Sequence, residues 1–98
     1  MNIQAMMKQA QQLQNKMLNE KKAIDSKVFT GKSSLVTITM TGDKKMTGVD
    51  INLDEISSDD KEMLEDMIML AVNDAITQID KETEEKLGKY TQGLPGLF

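Results

Sequence analysis

The chain has no cysteine, no histidine and no arginine, and only three of its 98 residues are aromatic. Without cysteine there is no disulfide framework and no thiolate metal site, and without histidine the commonest general base and zinc ligand are missing. The longest apolar run, at residues 67–72, is far too short to span a bilayer. The first residues lack the apolar segment of a signal peptide. We therefore expect a cytoplasmic protein without a membrane segment, cofactor or bound metal.

Acidic residues are absent from the first nineteen positions, although the whole chain has a net charge of −4. Residues 1–32 have six lysines against two acids, a net charge of +4, whereas residues 33–58 have −2 and residues 59–98 have −6. This separation suggests that the N-terminal segment meets an anionic partner while the rest keeps the protein soluble.

The pattern predicts one α+β domain over residues 1–98, with a helical arm (1–25), an antiparallel β-meander (26–54), a long helix (58–87) and an irregular tail (88–98). In the first helix, apolar residues recur at alternating spacings of three and four, which is a heptad seam with Glu20 at one position that should be apolar. At ~1.5 Å per residue this helix is longer than the small body, so part of it should protrude.

Three short strands follow, separated by the turns GKSS and GDKK. The alternation places Val36, Ile38 and Met40 on the inner face of the second strand, and the third strand should turn Val49, Ile51 and Leu53 inward. Gly48 within the third strand indicates a bulge or a close approach of another backbone.

The last helix should begin at Ser58 or Asp59 and end near Leu87. One broad apolar face would cover the sheet, and Met69, Ile76 and Leu87 lie on the opposite side, which indicates a second cover, a second subunit. Methionine fills gaps in cores and also serves adaptable binding surfaces, and we favour the core or dimer role. The predicted core or dimer seam comprises Met6, Leu13, Met17, Met67, Ala71 and Ile76.

Two motifs with possible chemistry are better explained structurally. TGKSS resembles the end of a phosphate-binding loop, but position 26 is serine where glycine is needed, and a strand follows instead of a helix. The acidic cluster at residues 59–66 lacks the ligand spacing of a calcium loop and fits helix capping and a solvated face. With no histidine to activate a nucleophile, an enzyme is not expected.

The outer face of the first helix is the strongest candidate for a site. It lies opposite the heptad seam and combines lysines with amides and no carboxylate. Lysine neutralises phosphates, and glutamine and asparagine bind phosphate oxygens or base edges; the alternative is an ordinary solvated face. The predicted DNA-binding residues are Gln4, Lys8, Gln11, Gln12, Asn15, Lys16, Asn19 and Lys22.

Three stretches of the chain resemble a known family. MMKQAQQLQNKM in the first helix, DKEMLEDMIMLAVNDA in the last and the terminal LPGLF are similar to the YbaB/EbfC family of bacterial nucleoid-associated proteins. The resemblance extends over nearly the whole chain in the same order. It implies a helix, a three-stranded antiparallel sheet and a long helix, assembled as a tweezer-like homodimer whose helical arms bind DNA.

Together these observations predict a homodimer that binds double-stranded DNA in the bacterial nucleoid. Without arginine, which most often reads guanine, the sequence specificity should be low. The alternative is an adaptor that binds other proteins through its acidic, methionine-rich helical surface. No small-molecule substrate is evident.

Overall fold

The computed structural model describes residues 2–91 and has the predicted α+β architecture, a long helix, a three-stranded antiparallel sheet and a second long helix. The elements are α1 (Ile3–Ser26), β1 (Val28–Lys32), β2 (Val36–Thr41), β3 (Met46–Ile51), a 3-10 turn (Ser58–Asp60) and α2 (Lys61–Thr91). The tail predicted to be irregular begins at residue 88, but residues 88–91 are helical, and the rest of that tail lies outside the described residues.

The sheet has the order β1-β2-β3, and both pairings are antiparallel. Val36, Ile38 and Met40 alternate with less buried residues along β2 and are at most 2% exposed, so their predicted inward orientation is confirmed. The register shifts beside Gly48, because Thr39 pairs with Gly48 while Met40 pairs with Met46. Thr47 is thus the extra residue of a bulge, as the glycine in this strand predicted.

Helix α2 packs across the inner face of β1 and β2 through a stripe of apolar residues. Gly31 permits this close approach, because a Cβ atom there would overlap the carbonyl oxygen of Ala71 and lie 2.6 Å from the amide nitrogen of Ala75. The same helix occupies the outer edge of β1. The Asp74 carboxylate accepts from the Lys32 N–H at 2.9 Å, and the Gln78 amide donates to the Thr30 carbonyl oxygen at 2.8 Å.

Strand β1 therefore runs to Lys32, and the prediction that it ends at Thr30 with a turn from Gly31 is wrong. The glycine serves helix packing, and the helix supplies hydrogen bonds that keep the strand extended. The turn between β2 and β3 has a local network of its own. The Thr41 hydroxyl donates to the Asp43 carboxylate, and this bond, helped by the Lys45 charge, lowers the pKa of Asp43 below 3.8 despite slight desolvation.

Strand β3 lies beyond the part of the sheet that α2 covers, since in the described part of the chain no Cα atom of β3 comes within 8 Å of a Cα atom of α2. Val49 shares the inner face with Ile38, its partner in the register, yet is 52% exposed. Ile51 and Leu53 are half-buried. The prediction that these three residues turn inward thus gives the correct face for Val49, but the residue is not buried because no helix lies over it.

Both ends of α2 differ from the prediction. Ser57, not Ser58 or Asp59, stands at the N-terminal end, where its N–H donates to the Asp60 carboxylate at 3.0 Å and a 3-10 turn precedes the α-helix. At the other end the helix continues past Leu87 to Thr91. Leu87, expected on the side opposite the sheet, is 2% exposed and belongs to the core together with Tyr90.

Helix α1, which we call the arm, is antiparallel to α2, and within residues 2–91 it contacts the rest of the protein only through its C-terminal part. Lys27 pairs with Glu82 and, further back along the arm, Glu20 pairs with Lys89, while Ile24 is buried in the core. Residues 2–16 are all exposed. The molecule measures 71 × 21 × 14 Å as a result.

Some residues of the predicted seam pack in the core, and the others lie on the exposed part of the arm. Ala71 is buried, and Met17, Met67 and Ile76 pack partly buried against the core. Met6 and Leu13 are 53% and 50% exposed, so they are not core residues of the single chain. The reason is that the body ends before it reaches them, and their role in a dimer stays a prediction.

Candidate nucleic-acid interface

The arm is a helix for local reasons along most of its length. No glycine or proline occurs between residues 3 and 26, and glutamine, lysine, methionine and leucine all favour helix. Asn2 caps the N-terminus, because its side-chain oxygen accepts from the N–H groups of Gln4 at 3.1 Å and Ala5 at 3.3 Å. The cap satisfies two of the free donors at the exposed tip.

All eight predicted DNA-binding residues are exposed on the arm. Their spacings of three and four residues place most of them along one side, opposite the apolar seam. From Gln4 to Lys22 this outer face is about 27 Å long at a helical rise of ~1.5 Å per residue. The arm therefore presents one continuous polar surface.

The charge of this surface is not neutralised within the described part of the chain. Lys8, Lys16 and Lys22 make no salt bridge there, whereas Lys21 pairs with Asp25 at 3.1 Å and Lys89 pairs with Glu20 at 3.5 Å. Since no carboxylate lies on the outer face, the three free ammonium groups can act together on an anion. Each also brings a flexible stem, which suits a phosphate contact of variable geometry.

Glu20 is a residue whose role the sequence interpretation missed. The heptad pattern identifies it only as an acid at an apolar seam position. In the structure Glu20 turns toward α2, where one carboxylate oxygen accepts from Lys89. The other oxygen, Oε2, is buried and has no hydrogen-bond partner within residues 2–91. The first acid of the chain is therefore directed away from the outer face, and its place in the seam was the signal that could have shown this.

The acidic part of α2 has no comparable organisation. Asp60 accepts from Ser57 at the start of the helix. In the described residues, no three acidic side chains are grouped so that they could hold a metal ion. Nor does any helix of this part of the chain combine the length and hydropathy needed to cross a membrane.

Comparison with solved structures shows the same fold in a distant protein. A crystal structure of an uncharacterised protein from Helicobacter pylori superposes with a TM-score of 0.71 at 19% identity and covers 95% of this chain and 99% of that one. At this identity the likeness concerns the fold alone.

Curated relatives are much closer in sequence. A protein of Lactococcus lactis subsp. cremoris strain MG1363 that is named nucleoid-associated protein is 50% identical to this chain. The match covers 97% of this chain and 98% of that protein. One in Enterococcus faecalis is 46% identical over 98% and 94%, and one in Ligilactobacillus salivarius is 44% identical over 99% and 95%.

A family model agrees with these relatives over almost the full length. The model of the YbaB/EbfC DNA-binding family matches residues 1–94, which include the arm, the sheet and α2. The resemblance first seen in the two helices is thereby confirmed. The chain belongs to the YbaB/EbfC DNA-binding family.

Proposed function

We propose that this protein binds duplex DNA through the outer face of the arm, with low sequence specificity, as a homodimer. The single observation that supports it best is the exposed, acid-free face of the arm with its unpaired Lys8, Lys16 and Lys22. Membership of a DNA-binding family and the names of the relatives support the same function. The protein would act in the cytoplasm, at the nucleoid, and influence nucleoid organisation and gene expression.

The contacts follow from the chemistry of the face. The lysines would neutralise phosphates, and the amides would bind phosphate oxygens or base edges. A face of about 27 Å corresponds to about eight base pairs at ~3.4 Å each. The function has no catalytic step, since binding and release of DNA require none.

Two exposed apolar surfaces support the homodimer. Beside α2 the inner face of β3 is open, with Val49 52% and Met46 46% exposed, and on α2 itself Met69 and Leu70 are 57% and 62% exposed. A sheet normally has its apolar face covered along its whole width. A second copy offers both the helix that would cover β3 and the strand face that would receive α2. The dimer would have two arms.

The adaptor remains the second candidate, and it rests on the same exposed side of α2. Met69 and Leu70 could receive a different protein in place of a second copy. The two functions differ in what the arm does, because an adaptor acting through α2 has no need of Lys8 or Lys22.

The decisive experiment reverses charge on the arm. In the double variant Lys8→Glu with Lys22→Glu, both changes lie at exposed positions away from the seam, so the fold and the dimer should persist. Binding to a 30-base-pair duplex should be lost at moderate salt. At low salt, the slope of log K against log salt should flatten by about 0.9 for each lysine–phosphate contact removed.

The matched control is Lys81→Glu with Lys86→Glu. These two lysines are also exposed and make no salt bridge within residues 2–91, but they lie on the acidic α2. The control should bind DNA nearly as the parent does. If the arm variant, shown by circular dichroism to be folded, binds as well as the parent, the arm is not the site and the adaptor takes precedence.

A further inference from the structure

We infer that the arm lies in the major groove and that its amides favour adenine, so that A·T base pairs are bound more tightly than G·C base pairs. The inference rests on the proposed function and adds to it the groove and the direction of the sequence preference. It follows from four side chains that we call the amide row: Gln4, Gln11, Asn15 and Asn19.

The amide row is exposed and free to bind. All four side chains lie along one side of the arm at intervals of seven, four and four residues, and Lys8 and Lys22 share this side. Within residues 2–91 the row makes no side-chain hydrogen bond, although other polar side chains such as Gln78 and Asp74 bond to neighbouring elements. The amide donors and acceptors are therefore available to a ligand.

The shape of the arm selects the groove. Residues 2–16 are exposed on every side, so nothing from the body in the described part of the chain keeps DNA from surrounding this helix. An α-helix with its side chains is ~10–12 Å across. The major groove of B-DNA is ~12 Å wide and admits a helix, whereas the minor groove is ~6 Å wide and does not. Amides at the bottom of the major groove would face base edges, and the longer, flexible lysine side chains on the same side of the arm would reach the phosphates that border the groove.

The chemistry of the row selects the base. An amide group donates and accepts side by side, which matches the N6 amino group and N7 of adenine. Arginine, the usual reader of guanine, is absent from the chain, and carboxylates, which accept from cytosine, are absent before Glu20. Lys8 and Lys16 are compact point charges that suit phosphates. Lysine can also contact guanine O6 and N7, but this side of the arm has four amides and only two lysines, Lys8 and Lys22, so adenine should be favoured.

Three alternating duplexes of 20 base pairs, made of A·T, G·C or inosine·cytosine pairs, show whether the arm reads the major or the minor groove and which base pair it prefers. Inosine·cytosine presents the major-groove edge of G·C and the minor-groove edge of A·T. Fluorescence anisotropy should show A·T bound a few-fold to tenfold more tightly than G·C, with inosine·cytosine equal to G·C. If inosine·cytosine instead behaves like A·T, the minor groove is read and the inference is wrong. Equal binding of all three duplexes also overturns it, while the absence of any binding refutes the proposed function itself.

Variants then test the row directly. Gln11→Ala with Asn15→Ala should abolish the preference for A·T and leave the salt slope unchanged, because no charge is removed. The control, Gln9→Ala with Gln14→Ala, removes two exposed amides that lie outside the row and should keep the preference. Alanine favours helix, so both variants should stay helical. Retention of the A·T preference by the row variant, or its loss in the control alone, would contradict the inference.

Discussion

Gly31 is the residue at which the close packing of this fold depends on the absence of a side chain. A Cβ atom there would overlap the Ala71 carbonyl oxygen and lie 2.6 Å from the Ala75 amide nitrogen, both in helix backbone that cannot move alone. We expect Gly31→Ala to lower the free energy of unfolding by about 1–3 kcal/mol, as overpacking does. Urea denaturation followed by circular dichroism would measure the change.

The control for this change is Gly88→Ala, a substitution at a glycine within α2. Among the described residues, a Cβ atom at Gly88 would meet only the Glu84 side chain, at an ordinary distance of 3.8 Å. Alanine should therefore raise the free energy of unfolding by up to about 1 kcal/mol through its helix propensity. A Gly31→Ala variant as stable as the parent would show that α2 can lift from β1 at little cost.

Among the elements, the arm differs from the others because its first four turns have no tertiary support from the described residues 2–91. Its helicity there depends on propensity and on the Asn2 cap, so Asn2→Ala should cost about 1 kcal/mol of local helix stability. Hydrogen exchange should accelerate in residues 3–8, whereas the urea midpoint of the whole protein should not change. A lower midpoint would mean that the tip is packed against something in solution.

Strand β1 depends on α2 in a different way. Asp74 accepts from the Lys32 N–H and from the Gln78 amide, at 2.9 Å and 3.2 Å. We expect Asp74→Ala to lower the free energy of unfolding by about 1–2 kcal/mol, since two hydrogen bonds are lost and the strand edge is opened. Denaturation with urea gives the value. Asp66→Ala, at an exposed position of the same helix, is the control and should change stability by less than about 0.5 kcal/mol.

The order and type of the elements could be predicted from sequence because their patterns are local. The pattern predicts a helical arm over residues 1–25, and the structure has Ile3–Ser26. The predicted ends of elements are wrong where a residue far away in the sequence determines the local structure. Local residues at Gly31 indicate a turn, but Asp74, 42 positions after Lys32, accepts from the Lys32 N–H and keeps the strand extended. Similarly, the sequence predicts a helix end near Leu87, while packing of Tyr90 and pairing of Lys89 with Glu20 extend the helix.

For the candidate site too, features set by local sequence could be predicted, and features set by distant elements could not. Exposure of the outer face could be predicted, because a lysine- and amide-rich side of a helix has no reason to be buried. The pairing of Glu20 with Lys89 could not be predicted, since it depends on where the end of α2 lies in space. Likewise the period of β3 gives the face of Val49 but not the width of the helical layer that leaves it open.

At the scale of the whole molecule, the open face of β3 predicts how the chain assembles. The parent should have twice the 11.0 kDa chain mass in sedimentation equilibrium at micromolar concentration. Val49→Lys places a charge on the open inner face and should yield folded monomers, because an unpaired charge cannot be buried there.

The matched control is Val28→Lys. Val28 is equally exposed, at 59% against 52%, but lies on the other face of the sheet, since Phe29 and Gly31 are the buried residues of β1. This variant should remain a dimer. A Val49→Lys variant that stays dimeric would place the interface elsewhere, and a parent that is monomeric would remove the basis for two arms.

The protruding arm also determines how the molecule moves in water. The radius of gyration is 19.4 Å, whereas a compact chain of about 100 residues has ~13 Å. Friction on such a rod is high, so a gel-filtration column calibrated with globular standards will overestimate its mass even for a single chain. Tumbling is anisotropic as well. Amide N–H bonds in a helix point along its axis, so in nuclear spin relaxation the amides of the two antiparallel helices will report the slow end-over-end rotation of the molecule.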